Sequence, residues 1–149
     1  MSSVVLIQIA LIAAALLVAF RKGGSPERLA AAVIAAWMVI DVSYHLLFGP
    51  SGFDRVDPVH LVLDSGVLIA ITAIALRANR IWPLWAAAAQ LICVTGHLAI
   101  VVQPEGLRRA YWAITQIPPF IQLAALLLGV LAHSRRQKRW GNYRSWRLT

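Results

Sequence analysis

LAAAVIAAWMVIDVSYHLLF (residues 29–48), GPSGFDRVDP (49–58) and VHLVLDSGVLIAITAIAL (59–76) decide the fold. Each apolar run is close to the ~17–25 residues that a helix needs to cross the hydrocarbon core. The segment between them is rich in Gly, Pro and Asp, which reads as a helix stop, a turn and a new start. The pair therefore predicts an antiparallel transmembrane hairpin. Asp41 and His45 sit one turn apart near the end of the first run, and His60 and Asp64 sit one turn apart, in reversed order, near the start of the second. In a hairpin both imidazoles fall at one depth and both carboxylates one turn deeper. Ionisable groups inside a bilayer are costly and point to function by default.

The rest of the chain extends this pattern. Of its 149 residues 60% are hydrophobic and 13% are charged, with a mean hydropathy of +0.71; a soluble domain carries roughly 25% charged residues. Apolar runs stand at about residues 4–20, 29–48, 59–76, 81–102 and 109–131. The expected fold is an all-α, five-helix antiparallel transmembrane bundle over residues 1–133 with a basic tail over 134–149. Ser25-Pro26-Glu27 and Asp57-Pro58 read as helix starts. Pro118-Pro119 should kink the fifth helix and free the carbonyls of Ile114 and Thr115. Alanine runs (30–32, 35–36, 86–89) allow close helix approach, within one chain or between copies in a homo-oligomer. Met1-Ser2-Ser3 lacks the positive charge of a signal peptide's start, so the first run reads as a retained helix.

Loop charge gives the orientation. Arg21, Lys22, Arg28, Arg77, Arg80, Arg135, Arg136, Lys138, Arg139, Arg144 and Arg147 fall on one side, and Arg55, Arg108 and Arg109 on the other. The N-terminus is then outside and the C-terminus cytoplasmic, in a bacterial-type inner (plasma) membrane. The net charge of +8 is largely a property of the tail, where six Lys/Arg meet no acid. Cys93 is the single cysteine, so no internal disulfide exists, and it reads as a small apolar residue.

On this topology His97 joins the hairpin groups: it lies roughly 7–8 Å below the end of its helix and Asp64 about 9 Å below the start of its own. Asp41, His45, His60, Asp64 and His97 are thus the candidate ligands of one outward-facing pocket. Trp37, Tyr44, Gln90, Tyr111, Thr115 and Gln122 are expected along a polar seam that leads inward, with the first helix peripheral. Three imidazoles and two carboxylates suit Zn, Fe, Ni or Cu, with one Asp orienting a His from behind; two His on different helices could instead be axial haem ligands. A proton-linked transporter or channel, a protein that binds or converts a lipid-like ligand, and a non-catalytic assembly subunit are the alternatives. No Ser/His/Asp order, His-Glu-x-x-His or phosphate-cradling loop is present, and no catalytic residue is assigned.

His133 reads as a cation at a helix C-terminus. Arg135, Arg136, Lys138, Arg139, Trp140 and Trp146, with Tyr143, suit contact with anionic membrane lipid or a cytoplasmic protein partner; nucleic acid is not expected. Tyr44-His45-Leu46-Leu47-Phe48-Gly49, with Asp64 one helix later, resembles part of the His/acid pocket of the emopamil-binding-protein-type sterol isomerases, which also have five helices. The glutamate that follows the His in that family is missing here. The resemblance implies a lipid-like or sterol-like ligand and no residue role.

Overall fold

A computed structural model describes residues 3–49, 56–102 and 108–147. They form six helices: α1 (Ser3–Lys22), α2 (Ser25–Phe48), α3 (Pro58–Arg77), α4 (Trp82–Val102), α5 (Arg108–Gln116) and α6 (Pro118–Trp140). Four helical stretches are long and apolar enough to cross a membrane: α2, α3, most of α4, and α5 with α6 taken together over Arg109–Trp140. Among the described residues the extended structure is confined to one bridge, between Ala78 and Trp146. The hairpin turn at 50–55 lies outside the described residues.

Local sequence accounts for the ends. Asp57 caps α3 by accepting the Val59 N–H at 3.0 Å, with Pro58 in the first turn, where no N–H is missed. The start of α2 is one residue earlier than Ser25-Pro26-Glu27 suggests: Gly24 is the cap, and Glu27 reaches back to its N–H at 3.0 Å. The prolines divide the fifth run at Ile117. Proline 119 has no N–H for the Thr115 carbonyl, which instead lies 3.7 Å from the Cys93 thiol of α4.

The helices close into a ring in the order α1, α2, α3, α4, α6, back to α1, with α5 against α4 and α6. The first helix is therefore not peripheral. It buries Gln8, Ile12, Ala15 and Ala19 against α2 and α6. Ala30, Ala31, Ala86 and Ala89 are also buried, so these alanines serve packing within the chain. At Gly129 an added Cβ would fall on the Trp82 ring, which fixes how closely α4 and α6 approach.

The radial pattern is that of a protein in an apolar solvent. Leu46, Leu47, Phe48, Val62, Ile69 and Leu76 stand 67–77% exposed, while Glu27, Asp64, Arg80, Gln90, His97 and Gln122 are buried. Buried polar groups run from one end of the bundle to its middle, at Gln90 and Gln122, and recur at the other end. Between them lies a dry layer of Ile34, Ile71, Ile74, Ala86, Leu126 and Val130, all buried. On α2 it separates Glu27 from Trp37, on α4 Trp82 from Gln90, and on α6 Gln122 from His133.

Candidate metal centre

The five expected ligands do not form one pocket. The structure divides them into two groups whose ligand atoms converge separately: Asp41, His45 and His60, and Asp64 and His97 with Cys93. His60 and Asp64 are adjacent on α3, but the helix aims them at different neighbours, His60 across to α2 and Asp64 across to α4.

The first group stands at the ends of α2 and α3 that the 49–57 segment joins. His60 Nε2 lies 2.9 Å from Asp41 Oδ1 and 3.2 Å from His45 Nε2, and His45 Nε2 lies 3.8 Å from Asp41 Oδ1. All three side chains are partly exposed, His45 the most at 33%. Their other nitrogens are committed. His45 Nδ1 is 3.0 Å from the Gly49 carbonyl, and His60 Nδ1 is 3.1 Å from Asp57 Oδ2, which also accepts the Tyr44 hydroxyl at 3.0 Å. Both partners are acceptors, so both Nδ1 atoms carry protons, and both Nε2 lone pairs turn inward. Gly49 helps to set this geometry. Its φ of 84° and ψ of −179° belong to glycine alone, and in that conformation its carbonyl meets His45. Tyr44 packs edge-on against His60 with ring centroids 5.6 Å apart.

With both imidazoles neutral the result is a triangle of three acceptors, Nε2, Nε2 and a carboxylate oxygen; with His60 protonated, its Nε2–H is a donor that Asp41 Oδ1 accepts at 2.9 Å. Acceptors packed so closely repel unless a proton or a metal ion lies between them. Around a four-coordinate ion with ligands at ~2.0–2.1 Å, neighbouring ligand atoms stand about 3.3 Å apart. The observed 2.9, 3.2 and 3.8 Å straddle that value.

The second group is chemically the opposite. His97 Nε2 is 2.8 Å from Asp64 Oδ2, the Cys93 thiol 3.2 Å from the same oxygen, and Gln90 Nε2 3.1 Å from Asp64 Oδ1 and 2.9 Å from its carbonyl. Tyr111 OH lies 2.7 Å from His97 Nδ1, and Gln122 donates to Gln90 Oε1. Every acceptor here faces a donor, and every member is buried. Gln90, Tyr111 and Gln122 take part in this hydrogen-bond network. Thr115 turns its hydroxyl to the Tyr111 carbonyl of its own helix at 2.9 Å. Trp37 lines a small cavity with Gln8, Gln90 and Gln122. Its Nε1–H is the one buried side-chain polar atom among the described residues that lacks a hydrogen-bond partner.

A third cluster closes the far end. Glu27, wholly buried, accepts from Arg80 Nε at 3.3 Å and Trp82 Nε1 at 2.9 Å. His133 is not the last residue of a helix, since α6 runs to Trp140. Its Nδ1 lies 3.2 Å from the Arg80 guanidinium, which can only donate, so this nitrogen is an acceptor; Tyr143 OH is 2.6 Å away. The tail returns onto the α3–α4 connection: Asn79 N donates to Ser145 O at 3.0 Å and Arg147 N to Arg77 O at 2.8 Å. Trp146 packs against the core, while Trp140 stays 70% exposed. Arg135, Arg136, Lys138 and Arg139 lie on the last turns of α6.

Sequence reasoning missed the roles of Asp57, Gly49, Cys93 and Glu27. Asp57-x-x-His60 was the available signal, since an i,i+3 spacing places a carboxylate over the imidazole. No family model, curated protein or solved structure matches the chain.

Proposed function

We propose that the protein binds a divalent transition-metal ion at Asp41, His45 and His60. The convergence of three potential ligand atoms carries this reading: two imidazole Nε2 atoms and a carboxylate oxygen meet with both outer Nδ1–H groups already held by Gly49 and Asp57. Ligating histidines ordinarily make such contacts, which fix tautomer and ring orientation. Two His and one carboxylate on one face of an ion leave further positions open, a set used for Zn²⁺ and for Fe²⁺. Haem fits less well: the two Nε2 atoms are 3.2 Å apart, which leaves no room for a macrocycle between them. Binding is favoured over passage of an ion because the dry layer of Ile71, Ile74, Leu126 and Val130 interrupts the polar groups. The wider reading is a five-crossing inner-membrane protein with α1 as the fifth span, this site on the outer side and the tail in the cytoplasm. Loop charge supports that orientation.

The same gap can be closed by a proton on His60 Nε2, shared toward Asp41. Metal uptake then displaces about one proton per ion at neutral pH. The test is equilibrium zinc binding by the purified protein, by competition with a chromophoric chelator. Binding of one ion, lost in His45→Ala/His60→Ala and in Asp41→Asn, is the expected result. Micromolar zinc bound equally by wild type and both variants, or by none, overturns the proposal.

A further inference from the structure

The end of the bundle opposite the triangle carries an observation independent of the metal reading. Gly141, with φ of 71°, turns the chain at the end of α6. The following segment pairs with residues 77–79 through the two backbone hydrogen bonds of Asn79 and Arg147. Tyr143 is held on both sides, its hydroxyl at His133 and its ring under the Arg80 guanidinium at 4.6 Å. This return leaves a cleft of about 320 Å³ lined by Asn79, Arg136, Trp140 and Tyr143. Its walls are fixed by secondary structure and hydrogen bonds on two sides.

Three features identify what the cleft suits. The first is charge. Among the described residues Glu27 is the one acid at this end, and Arg80, Trp82 and Gly24 occupy its oxygens. Arg136 makes no ion pair or hydrogen bond among the described residues, and neither does the Asn79 side chain, so the cleft presents a free guanidinium and a free amide. The second is depth. Arg77 and Trp82 mark the ends of α3 and α4, and α6 continues from His133 to Trp140 for ~10 Å at 1.5 Å per residue. That places Arg136, ~4–5 Å beyond His133, in the ~5–7 Å headgroup layer that borders the hydrocarbon core, and Trp140 just outside that layer. The third is shape. The cleft is open on its outer side, and its volume is at the low end for a ligand pocket, ~300–1,000 Å³. The Trp140 and Tyr143 rings are amphipathic side chains of the kind that sit at that boundary.

We infer that this cleft binds the phosphate headgroup of an anionic phospholipid, with Arg136 on the phosphate, Asn79 as a hydrogen-bonding partner, and Trp140 against the glycerol. The folded tail thus forms a defined lipid site, distinct from the diffuse attraction of a basic segment to an anionic surface. Purified full-length protein in detergent is incubated with phosphatidylglycerol, phosphatidylcholine or inorganic phosphate and weighed by native mass spectrometry. One phosphatidylglycerol is expected to be retained at least about fivefold better than phosphatidylcholine, the effect of one basic residue at the surface. Arg136→Gln and Trp140→Ala are expected to remove that preference, and Arg21→Gln, on the same end, to keep it. Arg136 and Trp140 are exposed, and unchanged thermal melting shows that both variants fold. Equal retention of the two lipids, or an undiminished preference in Arg136→Gln, overturns the inference. Equal losses in Arg136→Gln and Arg21→Gln show diffuse charge and also overturn it. Displacement of the lipid by an equimolar amount of inorganic phosphate assigns the cleft to a free anion instead.

Discussion

Asp57→Asn separates the two duties of one side chain. Asp57 Oδ1 caps α3 at the Val59 N–H (3.0 Å), and Oδ2 receives His60 Nδ1 (3.1 Å) and the Tyr44 hydroxyl (3.0 Å). Asparagine caps helices as well as aspartate does. If its carbonyl takes the capping position, its NH₂ faces His60 Nδ1–H, donor against donor. His60 then moves its proton to Nε2 and withdraws that lone pair from the triangle. If the amide turns the other way, His60 keeps a neutral and weaker acceptor, and the cap is lost at about 1 kcal/mol. Loss of a carboxylate behind a ligating histidine typically lowers metal affinity by ~10–100-fold, or about 1.4–2.8 kcal/mol at 1.4 kcal/mol per tenfold. Zinc competition in detergent or nanodiscs measures the affinity, and melting of the metal-free protein measures the fold. Asp57→Ser, which keeps a cap and removes the partner of His60, is expected to lose affinity likewise. Zinc affinity within twofold of wild type in both variants, with melting unchanged, refutes the reasoning.

The remaining perturbations test other parts of the account. Zinc affinity is expected to fall as pH drops, by about tenfold per unit while one proton is displaced per ion, because protons compete with the metal for the imidazole nitrogens; a flat profile from pH 7.5 to 5.5 contradicts ligation by His45 and His60. Asp64→Asn is expected to leave zinc affinity within about threefold while costing about 1–3 kcal/mol of stability, since an amide cannot accept from His97, Cys93 and Gln90 together; a large loss of affinity in a well-folded variant indicates one five-residue site after all. Gly49→Ala is expected to weaken zinc binding by displacing the carbonyl that holds His45, and unaltered titration curves exclude that role. Glu27→Ala leaves the Arg80 charge buried and unpaired, at about 3–5 kcal/mol, which melting experiments should register; equal melting temperatures show that the pair contributes nothing.

The helical bundle was legible because lipid imposes simple demands: about 20 apolar residues per crossing, and proline or glycine where a helix stops. The fifth run was readable down to its break at Pro118-Pro119. What the sequence leaves open is azimuth. Spacing places His60 and Asp64 on one stripe and at neighbouring depths, but a stripe is wide enough to meet two partners. Whether they point to α2 or α4 depends on how the ring closes, and that depends on Gly129 against Trp82 and on α1 filling the last gap. The five candidate ligands were therefore joined into one layer, whereas the structure separates a partly exposed group of three from the buried pair of Asp64 and His97. His133 was misread for a related reason. A basic run suggests a helix end, whereas α6 continues seven residues further and the tail folds back over it.

Metal-edge X-ray absorption of the zinc-loaded protein tests the central claim most directly. Ligation by Asp41, His45 and His60 requires a first shell of nitrogen and oxygen at ~2.0–2.1 Å, with imidazole scattering and no sulfur. A sulfur at ~2.3 Å would place the ion at Cys93 with Asp64 and His97, and a shell without imidazole would remove it from both groups; either result contradicts the assignment.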